Sequence, residues 1–138
     1  LNDWLAEIAG GSDLSSFEYT KCLRKVLFTI ATHGNAVILG RGANFLLPSD
    51  KRTVGLCLVA PLETRARNIM ETLGLSREDA LKHLARTERE QRRWVCKHGH
   101  ADILAATHYH LVINTALVKA ETVVHLVRAM IKPMAGAQ

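Results

Sequence analysis

The sequence predicts an α/β fold of three layers, αβα, around a short parallel sheet, and three observations predict it. Apolar runs at Ala36–Leu39, Val54–Ala60 and Leu111–Ile113 are continuous, not alternating, as in strands covered by helices on both faces. Helical spacing of apolar residues fills the intervals between them. The two patterns alternate along the chain, which is the order of a parallel sheet. A length of 138 residues suits one domain, 1–138, with one core.

Each element has a local reason. Residues 2–9 suit a short helix that Gly10-Gly11 stops. Residues 15–33 suit a longer one: Phe17, Leu23, Leu27 and Ile30 recur at helical spacing, Ser15 or Ser16 can cap the start, and Gly34 ends it. Ala36–Leu39 is the first strand. After the strand Val54–Ala60, Pro61 starts a helix over 62–73. Ser76 caps a helix over 77–96, with Asp79 placed to answer its hydroxyl. Leu111–Ile113 leads into Asn114-Thr115. Over 119–131, Val123, Val124, Val127, Met130 and Ile131 mark the apolar side of a last helix.

The formal net charge of +5 favours anionic ligands without naming them. No apolar run approaches the ~20 residues of a membrane span, so no membrane partner is expected. The three cysteines, Cys22, Cys57 and Cys96, are far apart and odd in number. They read as reduced thiols of a cytoplasmic protein, not as a disulfide framework or zinc ribbon. No secretory leader is visible, and a start on Leu1 leaves room for residues upstream.

Two segments carry chemistry. In "GNAVILGRGANFLLPSD", an apolar strand delivers Arg41 between Gly40 and Gly42. Ligands of open α/β sheets bind beyond the carboxyl ends of the strands, and a guanidinium is a planar fork suited to phosphate. In "SREDALKHLARTEREQRRWVCKHGHADI", no apolar residue stands between Arg86 and Arg93. A helix polar on every side is not packed deep in a core. Arg86, Arg89 or Glu90, and Arg93 share one stripe, where two arginines with a carboxylate between them can clamp a polyphosphate. The plain alternative is a solvated face stitched by pairs such as Glu88–Arg92.

Together, "AVILGRGANFLLPSDKRTVGLCLVAPLETRARNIM", "RTEREQRRW" and "HYHLVINTALVKAETVVHLV" resemble the second half of a cytidylate kinase-like protein, a family of P-loop nucleoside monophosphate kinases. The resemblance runs from about Gly34 to Ile131 and is weaker upstream. It implies a P-loop kinase-like fold and phosphoryl transfer from Mg-ATP to a nucleoside monophosphate. Arg41 would bind the acceptor monophosphate. Arg86 and Arg93 would be lid arginines acting on the transferring phosphoryl group. Arg89 and Glu90 would serve the acceptor nucleotide, and Arg65 and Arg67 would flank the ATP side. Such catalysis is positioning plus charge neutralisation by magnesium and arginines.

The phosphate-binding motif itself, Gly-x-x-x-x-Gly-Lys-Ser/Thr, stands nowhere in the 138 residues. The N-terminal P-loop strand and helix are therefore expected to be absent, and this chain alone is expected to have no turnover. Gly42 stands where close cytidylate kinases carry aspartate, and Thr87 replaces an acidic residue, so the acceptor base stays open. The alternative function is a non-catalytic nucleotide-binding or regulatory module. A nucleic-acid surface ranks last, because only Trp94 accompanies the arginine run. Trp94 reads as a packing residue that pins the arginine helix to the body. His98, His100, His108 and His110 form two His-x-His pairs without an evident completing ligand, so no metal is expected. A sheet lacking its central strand leaves an open edge, which predicts a homodimer or a strand-exchanged species.

Overall fold

A computed structural model describes residues 16–47 and 53–134. Its elements are α1 (Ser16–His33), α2 (Ala43–Leu46), β1 (Leu56–Val59), α3 (Leu62–Leu73), α4 (Arg77–Gly99), a 3-10 turn (Ala106–His108), β2 (Leu111–Asn114) and α5 (Ala120–Met134). The α/β class and the short parallel sheet are as the sequence predicts. β1 and β2 pair in parallel, Leu56 opposite Leu111 and Val59 opposite Asn114. The expected helix over 2–9 lies outside the described residues.

The caps form as their residue types dictate. Ser76 Oγ accepts the Asp79 backbone N–H at 3.2 Å and donates to Asp79 Oδ2 at 2.6 Å, which opens α4 by a reciprocal box. Gly74, with φ +65°, closes α3 in the left-handed conformation that glycine adopts without a Cβ clash. α4 runs to Gly99, three residues beyond the expected end. His100 terminates it at φ +50°.

One expected strand is absent. Ala36–Leu39 has no ladder partner among the described residues, and the sheet holds two strands, β1 and β2. A strand is stable only when a neighbour takes up its N–H and C=O groups. Here those groups face water, with Val37 at 100% and Leu39 at 92% exposure. Ile38 alone turns inward, onto the cluster of Leu23, Leu27, Ala43 and Leu46. That cluster joins α1 to α2. Trp94 and Tyr19 pack against it, so Trp94 does pin α4 to the body.

The helix pair α3/α4 closes on small residues. Ala66 and Ala80 are 1% and 0% exposed, and small side chains let two helices approach closely. Large apolar residues remain in water elsewhere, notably Phe17, Phe28 and Leu117.

Candidate functional site

Gly40, Arg41 and Gly42 all take positive φ, at 71°, 55° and 60°. Three left-handed residues in succession make the chain double back after Leu39. Glycine does this freely, but Arg41 meets a steric penalty of roughly 1–2 kcal/mol. The turn feeds α2, whose first bonds run from Phe45 N and Leu46 N to Gly42 O at 2.9 and 3.0 Å. A Cβ built on Gly42 would collide with the Trp94 ring. The Arg41 turn therefore packs on α4 at Trp94.

That contact sits near the amino end of the sheet. Asn44 Nδ2 donates to His108 O at 2.7 Å. The neighbouring Gly55 N–H donates to His110 Nδ1 at 2.9 Å, which leaves the proton of a neutral His110 ring on Nε2. The sequence reading put Arg41 at a strand's carboxyl end; without a strand at Ala36–Leu39, its turn is set instead by α2 and Trp94. Trp94 also lies against His98, ring centroids 4.9 Å apart. His98 Nδ1 shares a 3.1 Å hydrogen bond with Thr20 Oγ1 of α1. Loss of solvation, then the Lys97 and His100 charges, lower the His98 pKa.

The carboxyl end of β1 is held differently. Arg65 Nε donates to Ala60 O at 3.0 Å, and its guanidinium pairs with Glu88 of α4. Glu88 thus bridges helices and does not stitch α4 to Arg92. The pair is about one-third exposed on each side, so it contributes at most about 1 kcal/mol and mainly sets how α4 lies on α3.

With about 100° per helical residue, Arg86, Arg89, Glu90 and Arg93 fall within one sector of α4, roughly opposite Leu84, Glu88 and Val95. All four are exposed, and none has an ion-pair partner among the described residues. They form a stripe of three arginines and one carboxylate about 10 Å long, at 1.5 Å per residue. Arg41 is next in sequence to Gly42, which packs on Trp94, and Arg93 is next in sequence to Trp94. Arg86 and Arg89 lie one to two turns away along α4. Arg67, exposed on α3, joins neither group.

The Mg-ATP expectation meets a poor donor set. A triphosphate needs consecutive backbone N–H groups and a cation at a helix start. The start of α3 carries Pro61, which has no N–H, and Glu63 in its first turn. Arg65 is already engaged. Among the described residues no group of three or more histidine, cysteine or acidic side chains gathers at metal-binding distance. His98 bonds Thr20, His110 accepts from Gly55, and the His108 ring lies edge-on to Phe45 with centroids 5.5 Å apart, so these three are engaged separately.

Two features of the structure escaped the sequence reading. Asn44 carried no signal. The basic triplet Lys21, Arg24 and Lys25 of α1 was visible at spacings of three and four.

Ile103 O accepts a 2.8 Å hydrogen bond from Tyr109 Oη. Burial, then Cys57, pushes the Tyr109 phenol up to about 12 from about 10 in an unfolded chain. The folded chain then keeps a proton that the unfolded chain has lost, so Tyr109 reduces stability as pH rises from about 10 to 12. Thermal melts of wild type and Tyr109→Phe should converge as pH rises through this window. A constant difference in midpoint would rule the coupling out.

The chain is of the α/β class, with an arginine turn packed on an arginine-striped helix. Its sequence matches the cytidylate kinase-like family over residues 1–117, and the chain belongs to that family. The match reaches further towards the N-terminus than the three quoted blocks, and ends before α5. A cytidylate kinase of Ignicoccus hospitalis is 33% identical over 103 residues, 73% of this chain and 58% of that protein. One from Pyrococcus horikoshii is 32% identical over 101 residues, 73% of this chain and 52% of that protein. The chain therefore spans little more than half the length of these relatives. Among the described residues no helix is long and apolar enough to cross a membrane.

Proposed function

We propose that this chain forms the acceptor and lid part of a cytidylate-type nucleoside monophosphate kinase, acting in the cytoplasm. The observation that supports it best is the left-handed Gly40-Arg41-Gly42 turn seated on Trp94. A non-glycine residue held at positive φ is a cost that a binding role explains. In this reading Arg41 takes the acceptor phosphate as a bidentate, charge-assisted ligand. Arg93 and Arg86 neutralise charge on the transferring group, while Arg89 and Glu90 orient the acceptor nucleotide. The residues from Ala60 to Arg67 do not fit ATP phosphates, so no step is assigned to Arg65 or Arg67. ATP would be bound by a phosphate-binding loop that these 138 residues do not encode.

The test is calorimetry of CMP, dCMP and UMP with the chain. Arg41→Ala should weaken the best of them by tenfold or more, since a hydrogen bond to a charged group is worth about 1.5–3 kcal/mol. Unchanged affinity would remove Arg41 from the site. A coupled assay with ATP and CMP should show no turnover by this chain alone, and phosphate transfer there would overturn that part.

The second reading is a non-catalytic nucleotide-binding or regulatory module. It predicts that nucleotide binding persists when a complementing loop is supplied and that activity does not appear. We further propose self-association through the segment Ala36–Leu39, whose unpaired backbone and exposed Val37 and Leu39 resemble an unprotected edge. Light scattering should show a dimer at high concentration, and Val37→Lys should return the chain to monomer. A monomer at all concentrations rejects it.

A further inference from the structure

A hollow of about 270 Å³ lies between α1 and the end of α2, lined by Lys21, Arg24, Lys25, Phe28, Leu46 and Leu47. None of these belongs to the Arg41 turn or to α4. Arg24 and Lys25 lie three and four residues after Lys21 and four and three before Phe28, so the four share one face of α1. Beside that face, Leu23 and Leu27 bury against Leu46, which anchors the wall and floor.

Two features of this hollow are unfavourable in water. The three cations have no ion-pair or hydrogen-bond partner through their side chains among the described residues. Lys21 and Lys25 are a like-charge pair at i and i+4, an arrangement that destabilises a helix. Phe28 is 55% exposed although its ring borders Leu46 and Leu47. One class of ligand relieves both. We infer that the hollow binds a small organic anion with a compact apolar tail or ring, its charge between Lys21, Arg24 and Lys25 and its apolar part on Phe28, Leu46 and Leu47. The volume lies just under the usual range for small-molecule pockets. An apolar lining with a few convergent charged groups is their usual composition.

The full chain should be titrated with octyl phosphate below its micellar concentration, followed by calorimetry. Saturable one-to-one binding is expected, at least tenfold tighter than for inorganic phosphate or for octanol. Octyltrimethylammonium should not bind. The double variant Arg24→Glu, Lys25→Glu should weaken octyl phosphate by tenfold or more, and Phe28→Ser should abolish its advantage over inorganic phosphate. Arg41→Ala should leave it unchanged, which separates this site from the proposed acceptor site. Backbone amide shifts of Phe28, Leu46 and Leu47 in the unaltered chain give a readout that needs no variant. Affinity unaffected by the double charge reversal overturns the inference. So does loss of binding in Arg41→Ala, shifts confined to other residues, or binding to anionic vesicles but not to monomeric octyl phosphate.

Discussion

Gly42→Ala is expected to cost about 3 kcal/mol of folding stability, visible as a lower midpoint in denaturant at an unchanged slope. Two penalties act at one atom. At φ +60° an added Cβ meets its own carbonyl, at roughly 1–2 kcal/mol. The same Cβ then runs into the Trp94 ring, and overpacking of this kind typically costs about 1–3 kcal/mol. The ring cannot simply rotate away, because His98 and the Leu23–Leu46 cluster hold its other sides. Trp94→Leu should be destabilising alone, yet the double variant should be less destabilised than the sum of the two, because the collision is gone. Additive effects would show that Gly42 and Trp94 do not touch. Since Arg41 lies between Gly40 and Gly42, Gly42→Ala should also displace the guanidinium and weaken nucleotide binding together with stability.

Leu27→Ala is the second large effect, a loss of about 3 kcal/mol. Leu27 is 3% exposed and meets Leu23, Ala43 and Leu46 in the apolar cluster that joins α1 to α2. Removing a buried leucine side chain forfeits its transfer free energy and leaves a cavity, together about 2–5 kcal/mol. The loss matters more here than in a thicker core. Native stability is about 5–15 kcal/mol, and this chain keeps Phe17, Phe28, Val37 and Leu39 in water. Val26→Ala on the same helix, where the side chain is 45% exposed, should change stability by no more than about 0.5 kcal/mol. Equal losses at Val26 and Leu27 would deny that α1 packs through the Leu23–Leu27 face.

Much of the fold was legible because its determinants are local. The Ser76 and Asp79 cap, the glycine stop at Gly74 and the start of α3 after Pro61 depend on residues within one turn of each other. Leu56–Val59 and Leu111–Asn114 are apolar enough to pair wherever they meet. Ala36–Leu39 reads just as well as a strand, and its failure to pair shows the limit of such reading. A strand's partner lies elsewhere in the chain, or in another chain, and no residue within the segment specifies it.

The candidate site divides the same way. That Arg41 is a turn residue, and that Arg86, Arg89, Glu90 and Arg93 share one exposed stripe, follows from two glycines and from helical spacing. The Trp94 contact had a signal in the bulky apolar residue at the end of a charged run. The Arg65–Glu88 pair had none, since its members lie on different helices and Glu88 has arginine neighbours nearer in sequence.

The amino-acid sequence by itself determined where the four long helices of the described residues start, which helix face is cationic, and the family to which the chain belongs; the short helix Ala43–Leu46 and the extension of α4 to Gly99 were not legible in it. Only the tertiary structure decided that the arginine turn lies against Trp94 near the amino end of the sheet, that Arg65 is tied to Glu88, and that Val37 and Leu39 stay in water. The reason is range: capping and periodicity are settled over three or four residues, whereas lateral pairing and ring packing are settled by whichever distant surface the folded chain brings into contact.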